Sequence, residues 1–272
     1  LRIDPETGAM EALSGQTQFG RNRDDWGNWF GGNNSNPMWH YIIEDYVLRR
    51  NPHVPAPPVR KQVSQQPGAA PVFPTSRTLT RFNDPARANR FTSACSPIVY
   101  RDQYLEQLVG QAFICEPVHN LIHREIMRPD GPSFSSRRLG SESNSEFLVS
   151  SDSWFRPVDV CTHPDGSILI ADWYDAGVGG HRYSDNNTGR IYRLKPLNQP
   201  LVIPDYDHES VSGMLTALAS PNIATRFEAT RSLSKQSPEI QEKLIQQTSS
   251  TGQEHLLRLR ARVGWLPHVK SR

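Results

Sequence analysis

The sequence predicts a mainly β chain, a partial β-propeller with long loop insertions, followed by α-helical repeats of the HEAT type. Two observations predict this fold class. Short apolar runs separated by turn residues fill the middle of the chain, as in sandwiches and propellers, and helical periodicity starts only after Pro204. We therefore place a propeller part at residues 1–203 and a helical-repeat part at 204–272.

The N-terminal segments are predicted to be loops. Residues 1–50 are rich in Trp, Asn and Gly, most densely at 24–34. Gly and Asn tolerate unusual backbone angles and aromatic rings anchor the chain, so this composition favours a long ordered loop. Residues 51–75 are rich in proline amid Gln, Ser and Ala. This segment is predicted to be an extended surface connection, an insertion that is not a packed element.

The clearest strand signals lie between residues 108 and 196. Runs at 113–116 and 121–126 flank a bend that contains His119. A hairpin is predicted from 157–162 and 168–172, because the Asp165-Gly166 pair between them favours the positive backbone angles of a tight turn. A further strand is predicted at 189–194.

Apolar residues recur at helical spacing after Pro204, and Pro238 stands at a typical first helical position. We predict four short helices, the last at 254–265, which resemble HEAT-type repeats. Such repeats need stacked neighbours, and the chain also begins in a strand-like segment without Met or an export signal. We therefore expect a fragment of a larger secreted protein, with blades upstream and helices continuing beyond Arg272.

Charge and cysteine spacing exclude several classes of protein. The 30 basic and 28 acidic residues are well mixed and leave a net charge of +2, so nucleic acid and anionic membranes are not predicted as partners. No stretch approaches the ~20 apolar residues of a membrane span. Cys95, Cys115 and Cys161 form no Cys-x-x-Cys-His motif, so no haem-attachment motif lies in this span. We interpret the cysteines as small buried side chains, with one disulfide as the alternative.

Several segments carry a family resemblance: TQFGR at 17–21, DDWGNWF at 24–30, RFND at 81–84, WFRPVDV at 154–160, PDGSILIADWYD at 164–175 and GRIYR at 189–193. Over residues 1–196 the chain resembles membrane-bound dehydrogenases of bacteria, relatives of glucose and sorbosone dehydrogenases. In that family a propeller is commonly followed by HEAT-like repeats and a cytochrome c domain. The resemblance implies a periplasmic or cell-envelope protein that oxidises a sugar or another alcohol and passes electrons to a haem domain outside this span. Pyrroloquinoline quinone and Ca²⁺ are the cofactors it suggests.

Histidines are the candidate catalytic bases. Alcohol oxidation by hydride transfer needs a base near the substrate hydroxyl, and histidine titrates near neutral pH. The candidates are His40, His119, His123 and His181. His119 ranks first because it lies in the bend between two predicted strands. A structural or solvated role is the alternative for each of them.

An arginine and three aspartates are the candidates for holding a cofactor. Arg156 precedes a predicted strand and could bind an anionic group of cofactor or substrate through its guanidinium, or it could close the blade by an ion pair. Asp172, Asp175 and Asp185, with Asn186, could offer oxygen atoms to Ca²⁺, although their spacing matches no calcium-loop motif.

An aromatic and amide cluster near the N-terminus suits sugar binding by stacking and hydrogen bonds. It consists of Trp26, Asn28, Trp29, Asn33 and Asn34, with His40 as a further substrate-binding candidate. The same rings could instead simply pin a long loop.

Two functions of different classes remain open from the sequence. The first is a quinoprotein-type sugar or alcohol dehydrogenase. The second is a non-catalytic propeller with helical repeats that binds a glycan or a protein partner. Convergence of His119, Arg156 and an acidic residue in one pocket would favour the dehydrogenase, whereas a flat aromatic face without ionisable groups would favour the binding module.

Overall fold

A computed structural model describes residues 1–66, 68–81, 84–177, 188–207, 209–248 and 259–264. Contacts divide the chain into two compact units. The first unit comprises residues 1–100, 108–161 and 168–194, and the second comprises 101–107, 162–167 and 195–272. The second unit is therefore assembled from three stretches that are far apart in sequence.

The first eight strands of the described residues form three antiparallel sheets. The first is a hairpin of β1 (Arg2–Ile3) and β2 (Met10–Glu11). The second has the order β3 (Asn22–Arg23), β4 (Trp29–Asn33), β5 (Asn36–Tyr41) and β6 (Arg60–Gln62), with the short helix α1 (Asp45–Leu48) between β5 and β6. The third pairs β7 (Thr80–Arg81) with β8 (Asp84–Ala88).

A five-stranded sheet contributes several buried polar residues, among them Glu116, His123 and Glu125. Its strands are β9 (Cys95–Val99), β10 (Gln111–Glu116), β11 (Leu121–Asp130), β12 (Ser133–Arg138) and β13 (Leu148–Val149). The order is β12-β11-β10-β9, and β13 pairs with the start of β11. The last sheet has the order β14 (Pro157–Thr162), β15 (Ile168–Asp172) and β16 (Arg190–Leu194).

The predicted hairpin at 157–172 is confirmed by β14 and β15. The turn between them is closed by the His163 amide donating to the Ser167 carbonyl at 2.8 Å. Gly166 has a φ of +83° there. Because a residue with a Cβ would be strained at this angle, the Asp-Gly pair fixes the turn locally.

The core of the first unit joins residues from distant segments, with Phe30, Met38, Phe91, Ala112, Ile114 and Leu121 among its buried side chains. Val63, Ala70 and Val72 belong to the same core, and β6 pairs with β5. The proline-rich segment 51–75 is therefore packed over part of its length, and the prediction of an unpacked surface connection is wrong there. Alternating apolar residues between the prolines supply the buried side chains.

Within the described residues, the last strand is followed by α2 (Val211–Ala219), α3 (Ile223–Ser234) and α4 (Pro238–Thr248). Asn222 caps α3 by accepting hydrogen bonds from two amides of its first turn. Met214, Leu218, Leu233 and Leu244 are buried together between the helices. Of the predicted fourth helix, only 259–264 lies within the described residues, and it is helical.

The predicted fold class is wrong. Over the described ranges the strands belong to five separate sheets of two to five strands, which form no closed barrel or propeller. The helices in the same ranges pack around one small core and form no extended HEAT-like array. Local periodicity identified strands and amphipathic helices, but it carries no information on which distant strands pair or on whether helix pairs stack. The fold is a mixed one of small sheets and a few helices.

No helix among the described residues is both long enough and apolar enough to cross a membrane.

Candidate functional site

Glu116 and His119 form a buried pair at the end of β10. β10 ends at Glu116, one 3₁₀ turn (Pro117–His119) follows, and Asn120 at φ +59° leads into β11. The Nδ1 atom of His119 lies 3.1 Å from Oε1 of Glu116, and the two side chains are 2% and 0% exposed. Ser93 donates to the same carboxylate through its amide and its hydroxyl. This arrangement orients the imidazole ring.

The second ring nitrogen of His119 is available for chemistry. Nε2 is buried and has no hydrogen-bond partner among the described residues. A carboxylate at Nδ1 favours the tautomer that carries its proton there, which leaves the lone pair on Nε2. The pair therefore has the local arrangement of a general base with an orienting carboxylate.

Arg156 locks the turn that carries His119. Its Nη1 donates to the carbonyls of Pro117 (2.9 Å) and Val118 (3.3 Å). Its Nε and Nη2 donate to the carbonyls of Asp175 (2.9 Å) and Ala176 (3.1 Å). Burial lowers the pKa of this guanidinium, and the nearby Arg77 lowers it further. Because each of its nitrogens serves a main-chain carbonyl, Arg156 positions the turn and offers no free fork to an anionic cofactor.

Asp172 stabilises the backbone at Arg156 and at Tyr174. Its Oδ1 accepts from the amides of Arg156 (2.7 Å) and Tyr174 (2.8 Å). Its Oδ2 is buried without a hydrogen-bond partner among the described residues. Tyr174 has a φ of +48°, an unusual value for a bulky residue, and this bend directs the following carbonyls back to Arg156. His119, Arg156 and Asp172 are thus linked in one buried cluster.

The predicted calcium ligands do not assemble into a site within the described residues. Asp175 Oδ1 accepts from the Gly177 amide at 3.0 Å, and Asp172 has a single unpartnered oxygen. No group of three candidate ligands converges in the described ranges, whereas Ca²⁺ takes about 6–8 oxygen atoms. Asp185, Asn186 and His181 lie outside the described residues. The groups present therefore fit neither Ca²⁺ nor, given the engaged Arg156, the carboxylates of a bound quinone.

The amides of the predicted sugar cluster serve their own loops. Asn28 donates to Asp24 Oδ2 at 2.8 Å. Asn33 Oδ1 accepts from the amides of Ser35 and Asn36 and so closes the β4–β5 turn. These contacts satisfy both side chains locally, as expected for loop-forming asparagines.

The other members of that cluster lie in and around the β3–β6 sheet. Arg21 and Arg23 lie over the Trp29 ring at 5.1 and 5.9 Å, whereas Trp26 is 52% exposed. The main-chain amide of Asn34 donates to the side-chain oxygen of Gln18. His40 is buried, its Nδ1 lies 2.9 Å from the Ser133 hydroxyl, and burial lowers its pKa. These contacts hold the loop and the sheet in position.

A second buried cluster surrounds His123. Its Nδ1 lies 2.7 Å from Glu146 Oε2 and its Nε2 lies 3.3 Å from Glu125 Oε1. Arg138 donates to Glu146 at 3.0 Å. Burial alone would lower the pKa of His123, but the two carboxylates outweigh it and raise the pKa. Because both ring nitrogens are engaged and point to opposite sides, this histidine has no lone pair left for a substrate or a metal.

The family described as "Domain of unknown function (DUF7133)" matches residues 1–198. The chain belongs to the DUF7133 family. Comparison with curated proteins and with solved structures gives no match. Both histidine clusters fall within the DUF7133 residues, and α2 to α4 follow them.

Sequence reasoning missed the acidic partners in this DUF7133 chain. Glu116 stands three residues before His119, and that spacing across a Pro-containing bend was a readable signal. Glu146 lies 23 residues from His123 in sequence, and no local pattern connects the two. Only the pairing of β11 with its neighbours brings them together.

Proposed function

We propose that this DUF7133 protein oxidises a hydroxyl group of a sugar or another alcohol, with His119 as the general base. The observation that carries the proposal is the unpartnered Nε2 of His119, whose Nδ1 is held by Glu116. The resemblance of residues 1–196 to sugar and alcohol dehydrogenases supports the same reaction class.

The reaction balances as follows. Nε2 of His119 takes the proton of the substrate hydroxyl, and the hydrogen on the same carbon leaves as hydride. A freely diffusing two-electron acceptor would take that hydride, which would leave the carbon as a carbonyl. The reduced acceptor would then pass its electrons to a haem protein, in the periplasm or cell envelope. Glu116 stabilises the imidazolium that forms, and Arg156 holds the turn as a positioning residue.

Burial shapes how such a site works. His119 is 2% exposed, so substrate reaches Nε2 only when neighbouring side chains open. Once the site closes, water is excluded and the interaction between the imidazolium and Glu116 is strengthened.

The test is a turnover assay of the full chain with a panel of sugars and alcohols, a soluble quinone and a reducible dye. General bases contribute about 10²–10⁴-fold, so His119→Ala should lower kcat by that factor. His53→Ala, at an exposed position, is the matched control and should leave kcat unchanged. Circular dichroism checks that each variant is folded. Equal turnover by His119→Ala and the wild type, or no turnover by the wild type on any substrate, would overturn the proposal.

A glycan-binding module without catalysis is the second candidate. The observation favouring it is a set of exposed aromatic rings: Trp173 is 65% exposed, Trp154 is 43% exposed, and the Trp154 ring lies 5.6 Å from the ring of Tyr174. Exposed aromatic faces suit stacking on sugar rings. Saturable glycan binding that Trp154→Ala abolishes, in a wild-type protein without turnover, would decide for this candidate.

A further inference from the structure

A small cavity beside the His123 cluster has no role in the proposed oxidation. Its volume is about 140 Å³, and it lies between the segment after β6 and strand β12. A cavity of about 150 Å³ holds a benzene molecule, so there is room for about six non-hydrogen atoms. The lining residues are Ser64, Gln65, Gln66, Ala70, Phe91, His123, Glu125, Arg137 and Arg138.

The acceptors in the cavity wall are already satisfied. Glu125 Oε1 accepts from the Ser64 hydroxyl at 2.7 Å and lies 3.3 Å from His123 Nε2. Glu125 Oε2 accepts from the Ser136 hydroxyl. Phe91 contributes a buried apolar ring whose edge meets the His123 ring. The wall therefore presents few acceptors that seek a donor on a ligand.

The groups without a partner at the rim are two side-chain amides, which both donate and accept, and one guanidinium, which only donates. Gln65, Gln66 and Arg137 are exposed, and within the described ranges their side chains have no hydrogen-bond partner. Arg138 is different, because its Nη atoms donate to the carbonyls of Pro71 and Ser145 and to Glu146. Arg137 is therefore the guanidinium with a free fork.

The charges around the cavity favour an anion. Arg138 is paired with Glu146, and Glu125 is bonded to Ser64 and Ser136, so the charge of Arg137 is the one left without a partner among the described residues of this cavity. Its free planar fork matches a carboxylate in both charge and geometry.

We propose that this cavity binds a small carboxylate, with Arg137 as the bidentate donor and the amides of Gln65 and Gln66 as further donors at the rim. The site is separate from His119, and the inference does not rest on the oxidation proposed above.

The test is a titration of the full chain with sodium acetate, followed by NMR or calorimetry, at constant ionic strength. Arg137→Ala should weaken acetate binding on the order of tenfold or more, since a charge-assisted hydrogen bond is lost. Arg128→Ala, which removes an exposed arginine from the neighbouring strand β11, is the matched control and should leave the dissociation constant unchanged. Arg137→Lys keeps the positive charge but loses the planar fork. Its dissociation constant for acetate should therefore lie between those of Arg137→Ala and the Arg128→Ala control.

Three results of the acetate titration would overturn the assignment. They are the absence of saturable acetate binding, an equal dissociation constant for Arg137→Ala and wild type, and displacement of acetate by glycerol at comparable concentration. Tighter binding of inorganic phosphate than of acetate would replace the carboxylate by a tetrahedral anion and equally refute it. Arg137 is exposed, so its variants should fold, and circular dichroism verifies this.

Discussion

Glu146→Gln removes one charge from a buried carboxylate of the first unit that contacts three other residues. The Glu146 side chain is 0% exposed; it meets His123 Nδ1 at 2.7 Å, Arg138 at 3.0 Å and the Phe73 amide at 3.0 Å. Glutamine keeps the shape of the glutamate side chain but carries no negative charge. His123 and Arg138 therefore lose part of the negative charge that faces them. Breaking a buried ion pair from one side costs about 3–5 kcal/mol, and glutamine preserves one acceptor, so we expect a loss of about 3 kcal/mol in the free energy of unfolding.

Urea unfolding monitored by tryptophan fluorescence measures this loss. Asp130→Asn is the matched control, because the Asp130 side chain, at the end of β11, is 52% exposed and pairs with Lys61 of β6 at the surface. A surface pair contributes little, so this variant should unfold like the wild type. A change below about 0.5 kcal/mol for Glu146→Gln, the range of ordinary surface substitutions, would refute the view that this cluster stabilises the fold.

The same cluster sets the pH dependence of stability. Burial alone would raise the pKa of Glu146, but hydrogen bonds from His123 and Arg138 lower it overall. Its contribution is therefore present above the unfolded pKa of about 4.3 and is lost as pH falls through the folded value. The pKa of His123 is raised, so its contribution is full below about pH 6.5 and is lost as pH rises through the folded value. Glu146→Gln should flatten the acid side of the stability profile, and an unchanged acid side would contradict this assignment.

Two further predictions concern the helices and the cysteines. Asn222→Ala removes the cap of α3 together with the hydrogen bonds that the Asn222 amide donates to Asp102 and the His163 carbonyl; it should lower the free energy of unfolding by about 2 kcal/mol in thermal or urea denaturation, and a loss below about 0.5 kcal/mol would contradict this role. Of the three thiols, only the exposed Cys161 should react quickly with Ellman's reagent in the native state, because Cys95 and Cys115 are buried and burial raises the pKa of Cys115; fast reaction of two or three thiols would contradict this packing.

Local chemistry explains which elements the sequence could predict. The hairpin at 157–172 was predictable because Asp165-Gly166 fixes its turn within a few residues. The propeller and the repeat array were wrongly predicted, because strand pairing and helix packing depend on contacts between separate segments: β6, which lies inside the proline-rich segment, joins β5, and α2 to α4 bury their apolar faces against one another. Short-range periodicity is the same for either arrangement.

The candidate site, like the fold, could be predicted only where a local sequence signal defines it. A bend between two strands pointed to His119, and the structure places that residue in a buried turn locked by Arg156. The contact between Asp172 and the Arg156 amide depends on the pairing of the β14–β15 hairpin, whose turn signal was visible in the sequence. The His123 cluster could not be foreseen, because Glu146 and Ser64 reach it through tertiary contacts alone.

The side chain of Asn222 bears on how this protein could be cut or recombined. It donates to Asp102 and to the His163 carbonyl, two groups that lie within residues 1–198 in sequence yet belong to the second unit. A gene that ends at residue 198 would leave Asp102 and the His163 carbonyl without the Asn222 donor. It would also remove the buried core that α2 to α4 form. The helices therefore cannot be exchanged alone. Exchange of α2 to α4 between relatives should succeed only when residues 101–107 and 162–167 are exchanged together with them.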